Sequence, residues 1–262
     1  AKATYIDIFH EDYDAWKEQV SVTTKLIILC SPHNPTGKML SRAFIQCIVD
    51  LMIENTHVYV LFDEIYRECI LGDRPHISPL DVAQDIQDET VRNQVLARII
   101  SIDGMSKNWC MTGYRIGYVY AHHDIIAKIM AHQSYTTTCT AYLSQIAMTH
   151  LLEKWNRSSK DTLLEYRRLF LEQLRSNLDL VLRHVSQFNH VDVCIPDGGY
   201  YVYLRLGHSQ RGLDWCLDVL EKAHVSVMPG DVFLDPHGIR ISICGDTLHL
   251  ERALERIVAL NH

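Results

Sequence analysis

Apolar residues along this chain follow two rhythms. Unbroken runs rich in Ile, Val and Leu mark buried strands, and runs with an apolar residue every three or four positions mark amphipathic helices. The first kind predicts strands at Thr4–Phe9, Leu26–Cys30, Val58–Phe62, Ile99–Ile102 and Ile116–Tyr120. The second predicts a short helix at Glu11–Val20 and a longer one capped by Ser41 and running to about Asn55. Phe44, Ile45, Ile48, Val49, Leu51 and Met52 form the apolar side of the longer helix. Residues 72–97 are polar and contain Pro75 and Pro79, which predicts an irregular loop and one short helix. Strand, loop and helix thus alternate with right-handed crossovers, the pattern of an α/β domain whose mostly parallel sheet is covered on both faces.

From Asp124 the pattern turns helical, with helices predicted at Asp124–His132, Ala141–Trp155 and roughly Asp161–Ser186. A helix as long as the last suits a link between domains. The remainder alternates again, predicting strands Val191–Ile195, Tyr200–Leu206, Val225–Met228 and Ile239–Cys244, with helices Leu213–Ala223 and Thr247–Leu260 and turns at Pro196–Gly199 and Pro229–Asp231. The expected organisation is a large domain over 1–160, a linking helix over 161–186 and a smaller C-terminal α+β domain over 187–262.

Composition narrows the function classes. With 262 residues, 47% of them apolar, the chain can bury a substantial core. A net charge of −7 without a basic block argues against nucleic acid or an anionic membrane as partner. No apolar run reaches membrane-spanning length, and no signal peptide is visible. The eight cysteines lie at 30, 47, 69, 110, 139, 194, 216 and 244 without a Cys-x-x-Cys pair, as expected of reduced thiols in a cytoplasmic protein. Fifteen histidines include one adjacent pair, His122-His123, and no His-Glu-x-x-His spacing, which argues against a metal site.

Candidate chemistry gathers where predicted strands end, the place where open α/β sheets hold ligands. Leu26–Cys30 runs into Ser31-Pro32-His33-Asn34-Pro35-Thr36-Gly37, whose prolines and glycine dictate a tight loop. Val58–Phe62 runs into Asp63-Glu64-Ile65-Tyr66, and the strand at Ile99 opens into a loop carrying Ser106-Lys107. A lysine at such a mouth can act as a nucleophile toward a carbonyl carbon, and the matching partner is an aldehyde cofactor. Arg115 follows Lys107 and could return to it to hold a phosphate, while Arg240 stands in a strand otherwise built from Ile239, Ile241 and Ile243 and calls for a carboxylate. Each feature alone also fits a plain structural role: a rigid connector at Asn34, a solvated acid at Asp63, a surface lysine at Lys107, a salt bridge at Arg240. Asn34, Asp63 and Lys107 follow three separate strands, and one cleft could contain all three.

Taken together, Asn34-Pro35-Thr36-Gly37, Asp63-Glu64-Ile65-Tyr66, Ser106-Lys107 with Met111-Thr112-Gly113-Tyr114-Arg115-Ile116-Gly117-Tyr118, and Arg240-Ile241-Ser242 resemble the class I/II aminotransferases. These are the fold-type-I enzymes dependent on pyridoxal 5'-phosphate (PLP), and the four motifs occur in that family's order across nearly the whole chain. The resemblance implies a role for each residue. Lys107 matches the lysine that carries PLP as a Schiff base and moves the proton at the substrate's Cα. Asp63 matches the acid paired with the pyridinium nitrogen, Asn34 and Tyr66 the pair bonded to the phenolic oxygen, and Arg115 with Ser106 the phosphate anchor. Arg240 matches the arginine that grips the substrate's α-carboxylate, and Tyr200 an aromatic of the small lobe facing the site.

The implied activity is transfer of an amino group from an amino acid to a 2-oxo acid by a cytoplasmic homodimer. Two departures stand out. The family's first third, with its glycine-rich phosphate loop, ring-stacking aromatic and cross-dimer tyrosine, has no counterpart, which implies a fragment or a part supplied by another chain. Gly104 also stands where many members have serine. A PLP-dependent carbon–sulfur β-lyase, a specialised amino-acid cyclase or oxidase of the same fold, and a truncated non-catalytic domain are the alternatives. His33 before Asn34 favours the lyase, and Thr112–Arg115 favours the transaminase.

Overall fold

The computed structural model describes residues 2–5, 13–156, 160–188, 190–207 and 210–260. The strand expected at Thr4–Phe9 falls mostly outside the described residues. The chain divides into two compact units, the first comprising Ala1–Pro32, Leu40–Glu68 and Pro75–Ser159, the second His33–Met39, Cys69–Arg74 and Lys160–His262.

The first unit runs α1 (Tyr13–Gln19), β1 (Leu26–Cys30), α2 (Arg42–Glu54), β2 (Tyr59–Asp63), α3 (Pro79–Gln84), α4 (Glu89–Leu96), β3 (Ile99–Gly104), α5 (Met105–Asn108), β4 (Gly117–Tyr120), α6 (His123–Thr136) and α7 (Tyr142–Asn156). Ser41 caps α2 as expected, its hydroxyl accepting the Phe44 N–H. The polar stretch before β3 holds two helices where one was expected, because it contains two caps: Ser78 forms a capping box with Asp81, and the Asp88 carboxylate accepts the Thr90 and Val91 N–H groups.

The sheet order is β1-β2-β3-β4, with β1, β2 and β3 parallel and β4 antiparallel to β3. Alternation along the strands sends Ile27, Leu29, Val60, Phe62 and Ile99 into one core with Phe44, Ile45, Ile48, Val49 and Met52 of α2. The opposite side chains fare differently. Leu26, Ile28 and Tyr59, neighbours across β1 and β2, are 43%, 66% and 40% exposed. Among the described residues the sheet is therefore covered on one face at this end, which corrects the expectation of cover on both.

The second unit contains α8 (Lys160–Val185), β5 (Val191–Cys194), β6 (Tyr201–Leu206), α9 (Gly212–Ala223), β7 (Met228–Pro229), β8 (Gly238–Ser242) and α10 (Thr247–Val258). Its sheet, ordered β5-β6-β8-β7, is antiparallel throughout. The strand expected at Val225–Met228 shrinks to two residues, since Pro229 has no N–H to extend a ladder and the chain turns at once into a 3-10 turn, Gly230–Phe233. Leu174, Leu178, Val181 and Val185 form the buried stripe of α8. Asn177 lies within that helix fully buried, and its amide donates to the Ile243 and Gly245 carbonyls while its oxygen accepts the Thr247 hydroxyl.

Glycine is required where strands crowd. A Cβ on Gly238 would stand 1.8 Å from the Tyr203 hydroxyl, and Tyr203 cannot yield: it is 1% exposed and donates to Asp235, which also accepts from Arg205. Gly238→Ala is expected to cost about 2–4 kcal/mol through overpacking and a lost hydrogen bond. Thermal unfolding followed by circular dichroism reads this as a fall of several degrees. Gly72→Ala, with nothing within 4 Å of its added methyl, serves as the control that should not move the midpoint.

Candidate active site

In the first unit, β2 ends at Asp63, which pairs in register with Cys30 at the end of β1 and with Ile102 of β3. Three parallel strands thus deliver their carboxyl ends side by side, and Lys107 follows the third. The lysine sits on the short helix α5 and not in an open loop as expected, because Met105 N–H finds the Ile116 carbonyl and the turn closes. The chain doubles back through a 3-10 turn at Thr112–Tyr114 into β4, so Gly117 pairs with Gly104. Lys107 Nζ lies 5.8 Å from the centre of the Tyr66 ring, a buried tyrosine in the turn after β2. Ser106 is half-buried on α5.

Asp63 is half-buried and accepts the Ile65 N–H at 3.0 Å. Burial pushes its carboxyl above the ordinary range, the Ile65 bond pulls it partly back, and the Glu64 charge adds to the rise. Among the described residues no positive charge offsets this. Glu64, by contrast, is fully buried and well matched: it accepts from His76 Nε2 at 2.6 Å, Ser101 Oγ at 2.6 Å and Ser78 Oγ at 2.9 Å. Burial works to raise its carboxyl, but those bonds outweigh it and hold the group below its ordinary range. Two adjacent acids therefore differ in kind, one satisfied by the protein and one left with capacity for a cationic or N–H partner.

Arg115 adopts the left-handed conformation at φ 51°, is exposed, and donates from Nη1 to the Thr112 carbonyl at 3.0 Å. Helix α7 supports this segment twice. Ser144 Oγ donates to the Tyr114 carbonyl at 2.6 Å, and Trp155 packs edge-on against Trp109 with centroids 5.3 Å apart.

The second unit contains Asn34, Arg240 and Tyr200. Arg240 Nη1 donates to Asn34 Oδ1 at 2.8 Å, which leaves the Asn34 amide NH₂ to donate elsewhere. Gly37 closes this loop at φ 70° with its Cα against Pro196 and Gly198, where a Cβ would come within 2.3 Å of Pro196 Cβ. The Arg240 guanidinium lies 3.9 Å from the Tyr201 ring centre and 5.0 Å from that of Phe233. Tyr200 is buried edge-on against Phe170, 5.7 Å between centroids. The aromatic that meets Arg240 is thus Tyr201, one residue on and across the strand. His33 bonds Thr36 Oγ1 at 2.9 Å inside its own loop.

Sequence reasoning passed over Tyr201, Phe233, Glu64 and the group around Asp103. The signal for Asp103 was there, a carboxylate inside the apolar run Ile99–Gly104, but its partners are distant in sequence. Among the described residues, His122, His123 and Asp124 bring ligand atoms within 4.8 Å of one another, on mostly exposed side chains at the start of α6. No helix of the described residues is long and apolar enough to cross a membrane.

A parallel-stranded α/β unit with lysine, acid and tyrosine at its strand ends, joined in sequence to an antiparallel α+β unit bearing an arginine, defines a class of protein, and the comparison with known families agrees. The model of aminotransferase class I and II matches residues 2–257, and the chain belongs to that family. It is 29% identical over 259 residues to an aspartate aminotransferase of Rhizobium meliloti, covering 94% of this chain and 59% of the relative. It is 31% identical over 245 residues to a probable N-acetyl-LL-diaminopimelate aminotransferase of Bacillus subtilis, covering 92% and 56%. Among solved structures, an aromatic aminotransferase from Pyrococcus horikoshii superposes with a TM-score of 0.82 at 27% identity, covering 96% of this chain and 64% of that one. The chain thus spans less than two thirds of the length of these relatives.

Proposed function

We propose that this chain carries the cofactor and substrate groups of a PLP-dependent aminotransferase that moves an amino group from an amino acid to a 2-oxo acid. The observation that carries the reading is the half-buried Asp63 carboxylate, raised by burial with no cation among the described residues to offset it, at the strand end beside the one that leads to Lys107. A ring N–H fits that acid. PLP, when bound, supplies an aldehyde that condenses with amines and a protonated ring that withdraws electrons from the carbon bearing the amino group.

The chain's own residues take the remaining work. Lys107 offers the amine that holds the cofactor and removes the proton at the substrate's Cα. Asp63 would keep the ring nitrogen protonated, and the Tyr66 hydroxyl would donate to the phenolic oxygen. Ser106 and Arg115 would hold the phosphate, the exposed Arg115 guanidinium having only one of its donors engaged, by the Thr112 carbonyl, among the described residues. Arg240, its guanidinium 3.9 Å from the Tyr201 ring centre and bonded to Asn34, takes the α-carboxylate with the rest of its planar fork. The reading extends to a cytoplasmic homodimer. The eight free cysteines fit a reducing compartment, and Met130, Tyr135, Tyr142 and Leu143, strongly exposed on or beside α6 and α7, fit a surface that packs against another.

The test is to incubate the purified protein with PLP, reduce with borohydride and locate the adduct by peptide mass spectrometry, followed by an amino-donor screen. Modification centred on Lys107 supports the reading, and its absence there ends it. Asp63→Asn should lower activity by about 10²–10³-fold by removing charge under the ring nitrogen. The same substitution removes a poorly matched charge, so the cofactor-free protein should be no less stable and gain up to about 1 kcal/mol. Paired rate and unfolding measurements check both halves.

A further inference from the structure

We infer that Asp103 is a positioning residue for Lys107, acting through Asn108 and Tyr118; the inference rests on the reading of Lys107 as the cofactor-bearing amine. Asp103 is 3% exposed and fully engaged. Its Oδ1 accepts the Gly104 N–H at 2.6 Å and Asn108 Nδ2 at 2.8 Å, and its Oδ2 accepts the Tyr118 hydroxyl at 2.7 Å. Asn108, itself 7% exposed and next to Lys107 in the chain, accepts the Glu68 N–H on Oδ1 at 3.2 Å. One carboxylate therefore ties together the end of β3, the start of α5, strand β4 and the turn after β2 that holds Tyr66.

This arrangement answers a local weakness. Helix α5 has four residues, and its N-cap, Gly104, offers no side-chain bond, so local propensity alone does not hold it. Its backbone is fixed instead by the side chain immediately before it and the one that follows Lys107. Placing a carboxylate among apolar strand residues is costly; burial raises its proton affinity despite the bonds from Tyr118 and Gly104 and the charge of Arg67. A neutral side chain could fill the same space. What the acid adds is three directed bonds that set the direction in which Nζ leaves the helix, toward the Tyr66 ring 5.8 Å away.

The experiment compares wild type, Asp103→Ala, Asp103→Asn, Asn108→Ala and Tyr118→Phe by the rate at which PLP and borohydride modify Lys107, with Lys222 as internal reference and circular dichroism to establish folding. Hydrogen exchange of the amides of residues 105–110 is measured in parallel without PLP. The expected result is a fall of tenfold or more in the Lys107 rate for Asp103→Ala, partial rescue in Asp103→Asn, and a fall of roughly threefold in Asn108→Ala, each with faster exchange over 105–110 and unchanged Lys222. Where Asp103→Ala does not fold, Asn108→Ala and Tyr118→Phe decide. Folded variants with wild-type labelling and wild-type exchange overturn the inference. A wild-type protein not modified at Lys107 sinks the cofactor reading instead, and the exchange data then judge the network alone.

Discussion

Lys107→Ala is expected to lose at least about 10³-fold in amino-transfer rate and all PLP adduct at that position, while unfolding within a few degrees of wild type. The size follows from the two jobs assigned to one amine. A positioned acid or base contributes on the order of 10²–10⁴-fold, and loss of the covalent attachment adds to that. The small stability effect follows from location, since Lys107 is half-buried on a four-residue helix whose anchor is its neighbour Asn108. Lys107→Arg should be nearly as inactive, because a guanidinium keeps its proton at any working pH. Small primary amines added to Lys107→Ala should restore part of the rate, since they replace the lost base. Activity within tenfold of wild type in Lys107→Ala would remove the lysine from the mechanism.

The second large effect concerns stability. Glu64→Ala should destabilise the first unit by about 3–5 kcal/mol, the range found when one member of a buried charged network is deleted. The substitution strands the Ser101 and Ser78 hydroxyls and His76, whose Nδ1 is already buried without a partner among the described residues. Glu64→Gln should cost less, because it keeps an acceptor for Ser101. The same site predicts a direction with pH. The folded protein holds the Glu64 carboxyl below its ordinary value of 4.5, so the unfolded chain takes up the proton first as pH falls. Stability from this group is complete above the ordinary value and drains away as pH drops through the folded one. Asp63 and Asp103, both raised by burial, act oppositely, and their charged forms cost stability at neutral pH. Acid unfolding midpoints of Glu64→Gln and Asp63→Asn should therefore differ from wild type in sensitivity to pH below about 5. Equal pH profiles in all three proteins would refute this account.

The amino-acid sequence alone determined what short-range rules decide. Ser41 with its apolar stripe specified α2, the Ile- and Val-rich runs specified β1 to β3, and the carboxyl ends of those strands pointed to Asp63 and Lys107. The family motifs were legible because each is a contiguous run of residues. Tertiary structure decided whatever depends on strand direction, facing and distant partners. It set β4 antiparallel and brought Tyr201 to Arg240 while Tyr200 turned to Phe170. Successive strand residues face opposite ways, so a one-residue choice that pattern reading leaves open becomes a choice of surroundings. Asp103 shows the same limit more strongly, since its bond to Tyr118 and its link through Asn108 to Glu68 exist only after three strands have paired. Local periodicity places a residue on an element; which groups meet it is decided by pairing across the sheet, and that information is spread over the whole chain.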